Sequence, residues 1–283
     1  MTLNILRKLI PYLIIVSVPL LILTLIYYYI ANNNIILILA TIAELVCLSG
    51  LLLYLFGNLR THIDILERQC NALHSAIALS KIPLKKPAFF LRHSVSPDFV
   101  ELMAEIIRRR NVRNVLELGC GTSSIYIASL LSDKDLKGQL ICLEDNKDWA
   151  DFIQLQIDKE VNTLDSKQCM AKVIHVPIIY YKNIDTNFYD INMIAFNDSS
   201  IYELLVVDGP ADVKMRKAAL PLLRKLLSDN ALVIVDDGDH AVVRNTIKVW
   251  LDEEPDLQAK YYNTVKGTWV LFRKGYAWEL PLP

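Results

Sequence analysis

The first fifth of the chain is almost wholly apolar. Ile10 to Ile30 is a run of 21 residues without a charge, and Ile35 to Phe56 is a run of 22 with one, Glu44. Each reaches the ~20 apolar residues that cross a bilayer as a helix. Pro19 inside the first run is tolerable in a membrane helix. Only Ala31 to Asn34 separate the two runs. So short a link predicts an antiparallel transmembrane hairpin over residues 1–58, with both chain ends on one side. The first run is too long for the apolar core of a signal peptide, and a second span follows at once. Arg7 and Lys8 precede the hairpin, Arg60 and Arg68 follow it, and the tip has no positive charge. The rule that positive flanks stay inside puts the anchor in the inner membrane and the rest of the chain in the cytoplasm. Tyr27, Tyr28 and Tyr29 fit an interfacial aromatic belt near the tip. Glu44 is costly in hydrocarbon. It reads either as a functional group or as a polar contact between helices.

A different period follows. Leu59, Ile63, Leu66, Cys70, Leu73 and Ile77 repeat at alternating steps of four and three. That is a short heptad seam. Two readings are open: a homodimer through 59–77, or an amphipathic helix lying on the next domain or on the membrane surface. Lys81 to Pro87, with two prolines and three lysines, then breaks the helix. Residues 59–87 are therefore a linker region, its basic end close to anionic headgroups.

From residue 88 the pattern becomes that of an α/β domain running to 283. Short apolar runs end in glycine or carboxylate, as buried parallel strands do. The first is Val115-Leu-Glu-Leu118 followed by Gly119-Cys-Gly121, with a helix-compatible run from Ser123 to Leu131. Strand, glycine turn and helix bind a nucleotide-like cofactor at the carboxyl end of a sheet. Glu117, inside the strand end, suits a ligand that carries a cation. The second run is Gln139 to Glu144 followed by Asp145 and Asn146. An acid at this distance from the glycines accepts hydrogen bonds from ribose hydroxyls. Glu144 is assigned that role with Asp145 in reserve, and Asp145 or Asn146 also suits a helix N-cap. The third run is Leu204 to Asp208-Gly-Pro210; the fourth is Ala231 to Asp236-Asp237-Gly-Asp239-His240. A helix pattern over Val213 to Leu227 lies between them.

The E-x-G-x-G form at 117–121, with the acid at Glu144 and the "VDGP, R-x-x-ALPLL, strand, DD" order, resembles the class I S-adenosylmethionine-dependent methyltransferases. The likeness spans about residues 88–276. It leans to the bacterial branch acting on sugars and other small hydroxylated molecules, the macrocin type. Asn187 to Asp190, Trp149 and Val249-Trp250 fall where relatives have similar residues. The resemblance implies a Rossmann-like, mostly parallel sheet. Thr264 to Phe272 would form its closing antiparallel hairpin. It implies S-adenosylmethionine as cofactor, Glu117 engaging the methionine ammonium directly or through water, and Glu144 holding the ribose. The backbone of Gly119, Cys120, Gly121, Thr122 and Ser123 would line the cofactor. The acceptor would be a small-molecule or lipid-linked hydroxyl compound.

Asp208, Asp236, Asp237 and His240 all fall at strand carboxyl ends, where such sheets bind ligands. Two roles compete. In one, Asp208, Asp236 and Asp237 hold a Mg²⁺ that acidifies the acceptor hydroxyl. Some relatives do this, although Asp237-Gly238 departs from the acid–amide pair that some of them show. In the other, no metal is used and Asp208 or His240 is the general base. Asp239 suits helix capping. Two other classes compete with the enzyme. One is a membrane-tethered scaffold on an inactive methyltransferase fold. The other is a nicotinamide-dependent enzyme, which the absence of a third glycine at Ser124 disfavours.

Composition adds little. A net charge of −1 gives no electrostatic case for nucleic acid. Five scattered cysteines, at 47, 70, 120, 142 and 169, suit a reduced compartment.

Overall fold

The computed structural model describes residues 22–28, 35–85, 90, 94–133, 137–161, 170–194 and 201–276. The chain divides into two compact units, Met1–Asp64 and Ile65–Pro283.

In the first unit, residues 22–28 are helical. Helix α1 (Ile35–Leu79) begins there and continues past the unit boundary. Among the described residues, its Ile42–Leu79 stretch is the one helix long and apolar enough to cross a membrane. The start of the first apolar run, the tip Ala31–Asn34 and the flanking Arg7 and Lys8 lie outside the described residues. So do Pro87 of the linker and Cys169.

The second apolar run and the heptad region lie in one helix. Within the second unit, the face of this helix that packs is not the heptad seam. Ala72, Ser75 and Leu79 are buried, whereas Leu66, Leu73 and Ile77 of the heptad seam are 59%, 66% and 66% exposed. The buried residues lie three and four apart, on a stripe nearly opposite the seam.

In the second unit, a seven-stranded sheet has the order β3-β2-β1-β6-β7-β9-β8. The strands are β1 (Asn114–Leu118), β2 (Gln139–Glu144), β3 (Met170–His175), β6 (Tyr202–Val207), β7 (Leu227–Val235), β8 (Leu257–Tyr262) and β9 (Thr268–Arg273). The first five run parallel. Strand β9 is antiparallel to β7, and β8 to β9. This is the expected Rossmann-like sheet with a closing antiparallel pair, although the stretch expected to form that hairpin, Thr264 to Phe272, supplies only its turn and β9; the partner strand β8 lies before it. A separate hairpin, β4 (Ile178–Tyr181) with β5 (Thr186–Tyr189), has no counterpart in the sequence reading.

Residue parity sorts the strands onto two cores. Val115, Leu140, Cys142, Leu204 and Val206 face one core, with α2 (Pro97–Arg110), α3 (Thr122–Leu131) and α4 (Lys147–Val161). Leu116, Leu118, Leu143, Leu205 and Val207 face the other, with α5 (Ala219–Leu223) and α6 (Ala241–Glu253). The helix expected over 213–227 is shorter: turns of 3₁₀ helix flank α5 on both sides. Pro221 within it lacks an N–H and limits its propagation. Strand β7 already starts at Leu227, four residues before the expected apolar run.

Strand order reverses between β1 and β6. Beyond β1 lie β2 and β3; beyond β6 lie β7, β9 and β8. Such a switch point opens a crevice at the strand carboxyl ends.

Candidate active site

At the crevice, Gly119 follows β1 with φ +80, a left-handed conformation that favours glycine. Its N–H donates to the Leu143 carbonyl at 2.8 Å. Gly209, following β6, faces it: a Cβ on Gly209 would lie 2.7 Å from the Gly119 nitrogen and 2.4 Å from Tyr189 Oη. The two strand ends approach this closely because both positions lack a side chain.

Glu117 shares the parity of Val115, so it points under α3. It is completely buried. Its Oε2 accepts from Ser124 Oγ at 2.6 Å and from Cys142 Sγ at 3.1 Å, and Oε1 has no partner. Ser124 Oγ also accepts from the Gly121 N–H at 3.0 Å, which fixes the turn. Burial pushes the Glu117 carboxyl up to about 7, against the hydrogen bonds from Ser123, Ser124 and Cys142. Glu117, expected to engage the methionine ammonium directly or through water, thus forms the floor of the turn.

Glu144 closes β2 and is 8% exposed. Its Oε2 accepts from the Cys120 N–H at 3.1 Å and its Oε1 from the Asn146 N–H at 2.9 Å. Asn146 Oδ1 in turn accepts from the Trp149 N–H at 3.0 Å, the cap expected at the start of α4. Trp149 Nε1 donates to the Cys120 carbonyl at 2.7 Å and ties α4 to the glycine turn.

One cavity of about 440 Å³ is lined by Gly119, Cys120, Glu144 and Asp145 on one side and by Asp208, Asp237 and Lys266 on the other. Of the expected cofactor residues, Thr122 and Ser123 stand behind the wall, in the first turn of α3. Ser123 is buried.

The other half of the site is a charge cluster. Carboxylate oxygens of Asp208, Asp236 and Asp237 lie within 4.8 Å of one another. Two cations are set among them. Arg216 is 3% exposed. Its Nη1 is 3.0 Å from Asp237 Oδ2, and its Nη2 is 3.7 Å from Asp208 Oδ1. It also donates to the carbonyls of Pro210 and Asp208. Lys266 Nζ, from the β8–β9 turn, is 3.4 Å from Asp236 Oδ2 and 3.8 Å from Asp237 Oδ1.

Asp236 is fully buried, with Oδ1 unpartnered. Burial, and then repulsion from Asp208, push it up to about 8. Burial likewise raises Asp208, against the attraction of Arg216 and Lys266. Asp237 has a left-handed backbone, φ 58, which aspartate tolerates better than most side chains.

Among the described residues, Asp208, Asp236 and Asp237 are the group that could hold a metal ion, as the Mg²⁺ expectation requires. Both oxygens of Asp237 already face a cation, however, and so does Oδ2 of Asp236. A divalent ion would have to displace Lys266 to gain those oxygens, so the Mg²⁺ expectation finds no support in the cluster as it stands.

His240 is corrected as well. It is exposed and caps α6, its Nδ1 accepting from the Val242 N–H at 3.3 Å. It is absent from the cavity wall, so it is not placed to act as base. Asp239 does not cap. It pairs with Arg68 of α1 and accepts from Tyr261 Oη at 2.6 Å.

The sequence reading missed Arg216 and Lys266 as members of the site. A lone arginine in a helix pattern and a lysine in a turn both look like solvated charges until their partners are known.

Residues 116–238 match a family model described as a methyltransferase domain. The match runs from β1 through the strand-end acids. The protein is thus an enzyme by the methyltransferase domain it carries over these residues. No curated protein matches the chain.

Among solved structures, it is similar to an O-methyltransferase from Bacillus cereus in complex with SAH. That likeness has 18% identity, 74% of this chain and 91% of that one covered, and a TM-score of 0.47. It is also similar to an SAH-bound methyltransferase from Podospora anserina, with 15% identity, 72% and 87% covered, and a TM-score of 0.49. A methyltransferase from Geobacter sulfurreducens gives 14%, 62% and 77%, and 0.42.

Proposed function

We propose that the protein transfers a methyl group from S-adenosylmethionine to an oxygen of a small-molecule or lipid-linked acceptor. In this reading it is held at the inner membrane by a helical hairpin over 1–58, with its catalytic domain on the cytoplasmic side. One observation supports the chemistry: one cavity brings the glycine-turn residues Gly119 and Cys120 and the acids Glu144 and Asp145 opposite Asp208, Asp237 and Lys266, a wall suited to a nucleotide facing a wall suited to moving a proton.

The residues fit the cofactor. Glu117 Oε1 is a buried acceptor without a partner, and an ammonium would satisfy it. Glu144 accepts one N–H on each oxygen and keeps lone pairs for ribose hydroxyls. No atom lies within 4 Å of a Cβ built on Gly121, so the turn is open to a ligand. When bound, the cofactor supplies an electrophilic methyl on a sulfonium: the acceptor oxygen bonds the carbon as the carbon–sulfur bond breaks, and the electron pair of that bond stays on sulfur. Asp208, raised by burial and standing on the cavity wall, takes the hydroxyl proton and passes it to solvent. Arg216 fixes Asp208 and Asp237 relative to each other. Alignment of nucleophile and methyl by these walls supplies much of the rate.

The long apolar helix supports the anchor. The uncovered heptad seam supports a homodimer through 59–77, because self-complementary spacing suits a second copy.

Calorimetry with S-adenosylmethionine on the full chain in detergent tests the site. Glu144→Ala should weaken binding by ~1–3 kcal/mol, the scale of hydrogen bonds to a charged group. No binding by the wild type would instead favour a scaffold. Labelled methyl groups followed into membrane extracts would then identify the acceptor.

A further inference from the structure

We infer that Lys266 is a catalytic residue whose ammonium does the work of a metal ion, contacting the acceptor oxygen as its proton leaves. This rests on the proposed transfer to oxygen.

The placement is specific. Lys266 sits in a tight turn between β8 and β9, where Gly267 N–H donates to the Thr264 carbonyl at 3.1 Å. On each side of that turn the backbone is tied down. The Gly267 carbonyl accepts from the Gly238 N–H at 2.8 Å, and the Lys266 carbonyl accepts from the Asp239 N–H at 2.9 Å. The Val265 N–H donates to Asp98 Oδ2 at 2.8 Å. A lysine in a free surface turn would have none of these ties. Here the turn is latched to the strand-end loop carrying Asp236 and Asp237, so the ammonium is delivered to the cavity wall.

The two cations of the cluster stand differently toward the cavity. Arg216 is 4% exposed by side chain, and its contacts are with Asp237, Asp208 and backbone carbonyls. Its charge is spent on structure. Lys266 is 27% exposed by side chain and lines the cavity beside Gly119, Glu144 and Asp208. Arg216 also lines the cavity, but Lys266 is the more exposed of the two cations and has the open side toward a ligand. As a hydroxyl gives its proton to Asp208, negative charge develops on oxygen. A fixed ammonium in a partly dry cavity favours that charge, as preorganised donors do elsewhere. A divalent ion performs this service in metal-using enzymes; here the same position is already taken.

The test uses the full chain in detergent, S-adenosyl-[methyl-³H]methionine and a membrane extract from cells lacking the protein. Wild-type transfer should be undiminished in excess chelator. Lys266→Met should lower kcat by about 100-fold, the scale for losing one charge-stabilising donor. Its affinity for S-adenosylmethionine by calorimetry should stay within about threefold, because the variant leaves Glu117 and Glu144 untouched. Lys266→Arg, which keeps the charge, should recover much of the rate. Loss of transfer in chelator with recovery on Mg²⁺ would overturn the inference, and so would a Lys266→Met enzyme as fast as wild type.

If wild type transfers to nothing in the extract, the acceptor reading fails by itself. The role of Lys266 is then decided by Mn²⁺ titration followed by electron paramagnetic resonance. A wild type that leaves Mn²⁺ free supports it. A tight Mn²⁺ site abolished by Asp236→Asn overturns it.

Discussion

Replacing Glu117 with glutamine removes one proton equilibrium from beneath the cofactor turn and should separate stability from binding. The carboxyl has a free-peptide value of 4.5 and is raised to about 7 in the fold, first by burial. A carboxyl whose folded value is raised binds its proton more tightly in the native state than in the unfolded one. Its contribution is present in full below the unfolded value and is lost as pH rises through the folded value. The window is therefore about pH 4.5 to 7. At ~1.4 kcal/mol per unit, a shift of this size costs the wild type roughly 3 kcal/mol at pH 8 relative to acid.

Glutamine carries no such penalty, and its carbonyl can still accept from Ser124 Oγ. The variant should be the more stable protein at pH 8, by roughly 6–12 °C in the melting of the catalytic unit. At pH 5 the two should nearly coincide. Binding should move the other way. A glutamine offers no charge to the ammonium of the ligand, so affinity should fall by ~2 kcal/mol at pH 8. Differential scanning at several pH values, paired with calorimetric titration of S-adenosylmethionine, measures both. A wild type equally stable at pH 5 and pH 8, or a variant that binds as tightly as wild type, would refute the reasoning.

Three other outcomes follow from the geometry. Gly209→Ala places a methyl 2.4 Å from Tyr189 Oη and 2.7 Å from the Gly119 nitrogen. It should cost ~1–3 kcal/mol by overpacking, seen as a lower melting temperature, and should also weaken cofactor binding; an alanine variant that melts like wild type disproves the close approach. Arg216→Met strands Asp208 and Asp237 without their buried partner. It should cost ~3–5 kcal/mol, measured by denaturant midpoint, whereas a loss under 1 kcal/mol would show that Lys266 alone suffices as their counter-charge. Cys70 is exposed and on the heptad seam, so mild oxidation of membranes should yield a disulfide-linked dimer that Cys70→Ser abolishes; monomer alone after oxidation would exclude pairing through 59–77.

The sheet was legible where its physics is local. Buried parallel strands are short apolar runs, and the runs at 115–118, 139–144, 204–208 and 231–236 all became strand ends at the crevice. The glycine turn and Glu144 were legible for the same reason, since turn geometry and strand-end position are encoded in neighbouring residues. Three things were not. The heptad spacing at 59–77 identified a helix but not its packed face, because Ala72 and Ser75 are too small and too polar to stand out beside leucines. His240 stood at the right strand end, yet one residue of cap geometry turned it away. Arg216 and Lys266 owe their meaning to acids 21 and 30 residues away in sequence, Asp237 and Asp236, and no periodicity carries that pairing.

Arg68 bears on how the enzyme can be handled. It lies in α1, pairs with Asp239 and donates to the carbonyls of Thr264 and Val265, the residues just before Lys266. The usual route to a soluble fragment would cut at the Lys81–Pro87 region and discard α1 whole. Such a fragment would keep the sheet, the glycine turn and Glu144, and would still bind cofactor. It would have lost the brace on the loop that delivers the ammonium, together with the packing of Ala72, Ser75 and Leu79. Low turnover by a trimmed protein would then reflect where it was cut, and an inhibitor screen run on it would be aimed at a slackened loop that the full chain does not have.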